Sequence, residues 1–276
     1  MADIEKVKAA LHGGFRRQHP GIPFDTKGYV GDFRHTLLPQ VLPRDFEQDL
    51  LAGDGNELAT KFRAIHSSSG LAVNCLAPFR RRMSDMVIPA QPAFDTLRFE
   101  HKCPTGLRGT PPNLDVVLSG IHGVVGIESK LTEYLARENA RALDTLASYE
   151  KGITDWRRNQ GYFAALLHLR ECPDHYRHLH AAQLIKHAFG LARSFPRRPV
   201  TLLYLFWEPA NPGACSVCAA HRKEVEEFRG RVAGSTPAFE AMSYPELWHF
   251  WQGNPSAPPW LHQHVDALKR RYLVTI

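Results

Sequence analysis

Two carboxylates and a lysine are spaced so that they could share one reaction centre. Asp115 lies in the apolar stretch 113–118, and thirteen residues later the apolar stretch 124–127 ends in Glu128, Ser129 and Lys130. Side chains at positions i and i+2 of a strand point to the same face, so the Glu128 carboxylate and the Lys130 ammonium would lie side by side. If the neighbouring strand brings Asp115 beside them, the pattern suits a Mg²⁺ ion with a cation next to it.

Such a site would support reactions at a phosphate group. Mg²⁺ prefers oxygen ligands, keeps several waters and can hold a phosphate, and we expect Mn²⁺ to substitute for it. The lysine could orient or help to deprotonate the attacking water, or stabilise charge on the phosphorus. A second interpretation stays open, because Asp…Glu-x-Lys also occurs by chance as a surface ion pair beside an unrelated aspartate.

The elements that must position these residues are three short strands and the helices after them. Alternating apolar and polar residues predict strands at 94–101 and 113–118, and 124–127 resumes a strand, so the three form a meander. Apolar residues at helical spacing then predict helices at 131–149, 162–170 and 181–195. The unbroken apolar run 200–207 predicts a strand buried on both faces and joined in parallel through a right-handed crossover.

The flanking segments carry weaker signals. A short helix is predicted at 3–12, with Asp3 as its N-cap and Gly13-Gly14 as its end, and 19–43 reads as irregular. Serines 67–69, followed by apolar residues at helical spacing, predict a helix that Pro78 stops. A helix at 222–229 and Trp- and Pro-rich segments would pack on the core.

These elements predict one elaborated domain rather than two. The expected parts are a helical and irregular N-terminal extension at 1–66, a core at 67–210 and a C-terminal extension at 211–276 packed on that core. No linker between them compels a second domain.

The stretches 112–118 and 126–135 resemble the PD-(D/E)XK nuclease superfamily, and within it uncharacterised bacterial families of restriction endonucleases. The resemblance extends from about Ser67 to Trp207, half of the chain, with Leu114 where the motif has proline. It implies an α/β fold with a restriction-endonuclease-like core, in which helices flank a central mixed β-sheet. Helical N- and C-terminal additions would surround this core.

The same resemblance implies an activity and a set of roles. It suggests a Mg²⁺-dependent endonuclease that cuts DNA, with Asp115 and Glu128 as metal ligands and Lys130 near the attacking water. The backbone carbonyl of Ser129 would also reach the metal. Two alternatives remain: a nucleic-acid-binding module of the same fold that does not cut, and a nuclease that acts on RNA. A homodimer is plausible, because two sites cut both strands of a duplex most simply.

Two glutamates are weaker candidates for the metal site. Many members of the superfamily add a carboxylate from the first helix or strand, and Glu100 or Glu57 could supply it. Glu100 lies fifteen residues before Asp115 on the adjacent predicted strand, so geometry slightly favours Glu100. Its alternative role is a polar residue on a solvent-exposed face.

Three further residues are weak candidates for substrate contacts. Gln183 resembles the Gln-x-x-x-Tyr element of one nuclease branch, although His187 stands in place of the tyrosine. Ser67 and Asn74 could touch a phosphate near a helix N-terminus. Helix capping explains the serines around Ser67 equally well.

The cysteines do not form a strong metal motif. Cys215-x-x-Cys218 with His221, and Cys172 with His175, have partial zinc spacing, but no second close cysteine pair completes either site. We therefore expect free cysteines without a disulfide framework, in a reducing compartment.

Composition limits the class of protein. The 43% of hydrophobic residues exclude a disordered chain, and the longest apolar run has eight residues, far below the roughly 20 of a membrane helix. The N-terminus mixes charges where a secretory signal would be apolar, so we expect a cytoplasmic protein.

The formal charge is +6, from 34 Lys and Arg against 28 Asp and Glu, and five short clusters carry much of the basic excess. These clusters are Arg16-Arg17, Arg80-Arg81-Arg82, Arg157-Arg158, Arg197-Arg198 and Lys269-Arg270-Arg271. They could hold a nucleic-acid backbone, but taken alone we favour solvated helix ends and loops.

Overall fold

A mixed five-stranded β-sheet forms the centre of the computed structural model, which describes residues 3–53, 56–107, 109–136 and 159–276. The strands lie side by side in chain order: β1 (Thr96–Lys102), β2 (Asn113–Gly120), β3 (Gly123–Lys130), β4 (Val200–Phe206) and β5 (Ala238–Ser243). The first three pair antiparallel, whereas β3, β4 and β5 pair in parallel. The predicted meander and the parallel pairing of β3 with β4 are both confirmed.

Helices cover both faces of this sheet. They are α1 (Asp3–Gln18), α2 (Glu47–Ala52), α3 (Ser68–Leu76), α4 (Gln160–Glu171), α5 (Ala181–Ser194), α6 (Ser216–Arg231), α7 (Tyr244–Gly253) and α8 (Pro259–Tyr272). One hydrophobic cluster joins α1, α3, α7 and α8 to one side of the strands, and a second joins α4, α5 and α6 to the other. The predicted α/β fold with a flanked mixed sheet is therefore confirmed.

Local sequence explains where α3 and α7 begin. The Ser67 side chain accepts a hydrogen bond from the Gly70 N–H and caps α3. Ser243 and Glu246 form a reciprocal capping box at the start of α7. Each cap satisfies N–H groups that a helix leaves without a partner in its first turn.

The first helix is longer than the sequence predicted. It runs through Gly13 and Gly14 to Gln18, because Val7, Leu11 and Phe15 stand at i, i+4 and i+8 and are all fully buried. Burial of this apolar stripe outweighs the cost of about 1 kcal/mol for each glycine in a helix.

The helix predicted at 131–149 does not begin after β3. Residues 133–135 form a single 3₁₀ turn instead, and 137–149 lie outside the described residues. Tyr134 explains the turn: its ring is fully buried and its hydroxyl donates to the Trp207 carbonyl at 2.6 Å. Tertiary packing thus fixes the chain where helical periodicity favoured a helix.

The C-terminal segment contributes more than an added layer. Residues 238–243 were not predicted as a strand, yet they form β5 and pair with β4 from Thr201↔Ala238 to Phe206↔Ser243. The helix predicted at 222–229 is extended to 216–231 as α6. No helix in the described ranges is both long and apolar enough to span a membrane.

Candidate active site

Strand register brings Asp115 to Glu128 and Lys130. Val116 pairs with Ile127, so the next position along the two antiparallel strands sets Asp115 opposite Glu128. Asp115 Oδ2 accepts a hydrogen bond from the Ser129 backbone N–H at 2.6 Å. The aspartate thus contacts the residue between the glutamate and the lysine, at the end of β3.

Glu128 and Lys130 form a buried ion pair. Lys130 Nζ lies 2.6 Å from Glu128 Oε1, and the two side chains are 10% and 2% exposed. Ser129, between them, turns its hydroxyl to Tyr244 at 2.7 Å. The alternation of a strand therefore separates two functions, with the ion pair on one face and an anchor of β3 to α7 on the other.

Helix α5 adds two side chains to this pair. Gln183 Oε1 accepts a hydrogen bond from Lys130 Nζ at 3.0 Å, and His187 Nε2 lies 2.9 Å from Glu128 Oε2. Gln183 and His187 are four residues apart and so share one face of the helix. Sequence reasoning weighed only Gln183 as a contact, although the i, i+4 spacing could have pointed to His187 as well.

His187 is buried, at 2% exposure; its Nδ1 has no partner within the described segments, and its Nε2 meets Glu128 as a close contact without a well-aligned hydrogen bond. Its one polar contact therefore faces the candidate site. Lys130 and His187 together engage both oxygens of the Glu128 carboxylate. This arrangement fixes the orientation of that carboxylate.

Burial and neighbouring charge perturb the two carboxyl groups in opposite directions. Burial is the largest cause that raises the pKa of Asp115 well above its usual range, and the charge of Glu128 raises it further. Burial also acts to raise the pKa of Glu128, but Lys130 and then His187 outweigh it and hold this pKa at about 2. Two carboxyl groups this close do not both ionise readily without a cation.

Lys130 is stabilised in its charged form. Burial acts to lower the pKa of its ammonium group, but the carboxylates of Glu128, Glu133 and Asp115 outweigh burial and raise that pKa. The site therefore holds a cation beside a pair of mutually repelling carboxyl groups.

A divalent cation fits this donor set, although the set is small. In the described part of the chain, no three His, Cys, Asp or Glu side chains come together as a metal-binding group. Mg²⁺ needs only one or two carboxylates, because waters and a substrate phosphate complete its shell. The repulsion between Asp115 and Glu128 is what a bound cation would relieve.

The two glutamates considered as additional ligands differ in position. Glu100 stands on β1 opposite Asp115, between the pairs Phe99↔Val116 and His101↔Leu114, and its charge raises the pKa of Asp115. Glu100 has a φ of 48°, which is rare for a residue with a side chain. Glu57 instead accepts a hydrogen bond from Ser69 Oγ at 2.6 Å, in the first turn of α3.

Of the three residues considered for substrate contacts, only Gln183 reaches the candidate site, through Lys130. The buried Ser67 caps α3. Asn74 is fully buried: its Oδ1 accepts from the Leu38 N–H at 2.8 Å, and its Nδ2 donates to the Thr36 carbonyl and the Tyr272 hydroxyl. Asn74 therefore ties three segments together and exposes no atom to a substrate.

Intramolecular contacts occupy several of the arginines proposed for a nucleic-acid backbone. Arg80 pairs with Asp49 at 2.7 Å, and Arg81 pairs with Asp45 at 2.9 Å. Arg82 lies 4.5 Å from the ring centroid of Trp260. The cluster 80–82 is thus mainly structural, because its charges meet partners inside the fold.

The other clusters are mixed where they are described: Arg16, Arg17, Arg197 and Arg270 are exposed. Arg198 donates to Ser119 Oγ and to the Gly123 carbonyl, and Arg271 is buried at 1% exposure. Arg157 and Arg158 lie outside the described residues. The expectation of solvated helix ends and loops therefore fits the exposed Arg16, Arg17, Arg197 and Arg270, but it is wrong for Arg80, Arg198 and Arg271, which contact partners inside the fold.

The expectation of free cysteines is wrong for one pair. Cys215 and Cys218 form a disulfide with a Cα–Cα distance of 5.3 Å, at the start of α6, whereas Cys75, Cys103 and Cys172 are free. A Cys-x-x-Cys turn at a helix N-terminus brings the two Cα atoms within bonding range. His221, which gave this pair its partial zinc spacing, points its Nε2 at the Tyr204 hydroxyl at 2.9 Å.

The comparisons with known proteins agree with this architecture. The family model described as "Restriction Endonuclease associating with ARP" matches residues 8–273. No curated protein and no solved structure matches the chain. The match covers the sheet, the candidate site and the segments on either side of them, and the mixed sheet fits a restriction-endonuclease-like core. The chain therefore belongs to this family of restriction endonucleases.

Proposed function

We propose that the protein is a Mg²⁺-dependent endonuclease that hydrolyses DNA phosphodiester bonds. The observation that carries the proposal is the convergence of Asp115, Glu128 and Lys130 at the end of β3, through contacts of 2.6 Å at Ser129 and within the ion pair. Membership in a restriction-endonuclease family supports DNA as the substrate. The spacing of the three residues supports assignment to the PD-(D/E)XK superfamily.

Each residue would have a distinct role. Asp115 and Glu128 would hold the metal, with the Ser129 carbonyl as a third oxygen, and Mn²⁺ would replace Mg²⁺ because both accept oxygen ligands. When bound, the metal would supply Lewis-acid stabilisation of the phosphate and a more acidic water. Lys130 would present its ammonium group to the reacting phosphate or to the attacking water. Gln183 would fix the position of Lys130 Nζ.

Cleavage of supercoiled plasmid with Mg²⁺, with Mn²⁺ and with EDTA tests the proposal. We expect Asp115→Asn and Lys130→Gln to lower the cleavage rate by about 10²–10³-fold, because each removes charge from the reaction centre. The matched controls are Asp95→Asn on the exposed edge before β1 and Lys223→Gln on the exposed face of α6, and both should cleave as the wild type does. Wild-type rates in the Asp115 and Lys130 variants would refute the assignment.

The alternatives give different results in the same preparation. A module that binds nucleic acid without cutting would show DNA binding but no heat of Mg²⁺ or Mn²⁺ binding in calorimetry. An RNA nuclease would degrade a labelled RNA of the same sequence faster than the DNA. Sedimentation with and without duplex would test the homodimer, since symmetric cutting needs two sites.

A further inference from the structure

A polar pocket of about 470 Å³ opens between α1 and the segment that leads into α3. Its polar lining comes from three parts of the chain: Glu5, Lys8 and His12 of α1, Lys27 and Tyr29 of a turn, and His66 before α3. Asp115 and Glu128 do not line it. The function proposed above therefore does not account for it.

Two histidines face each other in this pocket. His12 Nε2 and His66 Nδ1 lie 3.4 Å apart. The turn at 25–29 closes against them through Gly28, whose φ is 77° and where an added Cβ would lie only 3.1 Å from His12 Cε1. Asp25 Oδ1 accepts hydrogen bonds from the N–H groups of Lys27 and Tyr29 and so holds the turn in place.

A buried arginine without a counter-ion, Arg271, hydrogen-bonds to the residue before His66, although it does not line the pocket. Arg271 of α8 is 1% exposed, its Nη2 donates to the Ile65 carbonyl at 3.3 Å, and its guanidinium lies 4.7 Å from the ring centroid of Phe15. Its Nε and Nη1 have no hydrogen-bond partner, and no carboxylate in the described ranges pairs with it. Ile65 is next to His66 in the chain, and the Arg271 charge lowers the pKa of His12. A buried charge without compensation is costly.

The charges around the histidines favour an anion over a metal cation. Burial lowers the pKa of His12, and Arg16, Arg271 and Lys8 lower it further. Burial, Lys8 and His12 also hold the pKa of His66 at about 4, against smaller opposite effects of Glu133 and Glu5. A cation would add to this positive charge. An anion would offset it and would accept hydrogen bonds from both rings, from Tyr29 and from Lys8, which would exchange its contact with Glu5 at 3.6 Å for the anion.

We propose that this pocket binds a phosphate group, held by His12, His66 and Lys8 and neutralised by the buried charge of Arg271. The phosphate would belong either to a free phosphate or nucleotide, or to a nucleic-acid strand. The inference goes beyond the proposed function, because it holds even if Asp115 and Glu128 cut nothing.

Calorimetric titration of the full chain with inorganic phosphate, in EDTA, tests the binding. We expect saturable binding at about pH 7, because the anion would accept hydrogen bonds from both rings and from Lys8. The variant His12→Gln/His66→Gln should bind at least about 10-fold more weakly, and Lys8→Gln several-fold more weakly. The matched control is the exposed His249→Gln, which should bind as the wild type does.

Two outcomes would overturn the proposal. The first is an absence of saturable phosphate binding in wild type, above all if Zn²⁺ binds instead. The second is phosphate binding that the double variant and Lys8→Gln retain unchanged. Because Lys8 lies on the partly exposed side of α1, its variant keeps the test valid if the double variant fails to fold.

A pair of oligonucleotides identifies the source of the phosphate. Tighter binding of a 5′-phosphorylated strand than of the same strand with a 5′-hydroxyl supports a nucleic-acid phosphate. Equal binding of the two strands, with inorganic phosphate still bound, supports a free phosphate or nucleotide. Asp115→Asn should bind phosphate as the wild type does, so a failure of the nuclease proposal is distinguishable from a failure of this one.

Discussion

At Glu128 both carboxylate oxygens already have partners, Lys130 on one and His187 on the other. Lys130 is in turn held by Gln183, so a helix outside the strand motif restrains both of its charged residues. A carboxylate that is fixed before a metal or substrate arrives needs less rearrangement when one binds. The orientation of the Glu128 carboxylate therefore depends on His187, a residue outside the strand motif.

Replacement of His187 by Phe tests this dependence. The ring would still fill the buried space, but Glu128 Oε2 would lose its partner, and the pKa of Glu128 would rise because His187 helps to lower it. We expect the Mg²⁺-dependent cleavage rate to fall by about 10–100-fold, as is usual when a residue supporting a metal ligand is removed. His249→Gln serves as the exposed control. Cleavage at the wild-type rate across a Mg²⁺ titration would contradict a positioning role.

At the scale of elements, α5 must lie close to the sheet for Gln183 and His187 to reach β3. Gly190, on the same helix, permits this approach: an added Cβ would lie 2.4 Å from the Cys103 carbonyl and 2.8 Å from Pro112 Cγ. Gly126 on β3 performs the same role opposite Leu191, since an added Cβ would lie 2.7 Å from Leu191 Cδ1. Contact with a backbone atom leaves less room for adjustment at Gly190.

Gly190→Ala should therefore separate α5 from the sheet. We expect the free energy of unfolding to fall by about 1–3 kcal/mol, as for other overpacked sites, and cleavage to fall with it because Gln183 and His187 move. The control is Gly230→Ala in α6, where nothing lies within 4 Å of an added Cβ. That change should be neutral or stabilise by up to about 1 kcal/mol. Urea unfolding measures the stability of both variants. A Gly190→Ala variant as stable as the wild type would disprove the packing argument.

At the scale of the whole molecule, several histidines are buried as neutral groups in different parts of the fold. Burial is the main cause that lowers the pKa of His264 to about 4 and that of His221 to about 3. Both side chains are fully buried. In the unfolded chain each titrates near its ordinary pKa of about 6.5.

Stability should therefore decrease in mild acid. The stability that these two neutral histidines contribute is fully present above about pH 6.5. It is lost as the pH falls towards their pKa values in the folded protein, because the unfolded chain binds protons first. At about pH 5 each of these histidines should lower the free energy of unfolding by about 2 kcal/mol. We expect His264→Gln to lose about 2 kcal/mol less than wild type between about pH 7.5 and pH 5 in urea unfolding. An identical loss in both proteins would show that His264 is not neutral when folded.

The residue types and local spacing determined the type of fold and the three central residues. Period-two alternation predicted β1 and β2, and apolar residues after a turn predicted β3. The apolar run at 200–207 predicted β4 as a strand buried on both faces. The spacing of Glu128 and Lys130 predicted their ion pair, because i and i+2 share a strand face whatever surrounds them. A serine cap likewise predicted the start of α3.

Only the tertiary structure decided what depends on distant partners. The edge position of β5, the 3₁₀ turn after Lys130 and the structural role of Asn74 arise from contacts between segments far apart in the chain. The same holds for His187, which becomes part of the site only where α5 packs on β3. Local propensities do not include contacts between distant segments. Local sequence therefore determines only the strand motif, and tertiary packing determines which other residues hold that motif in place.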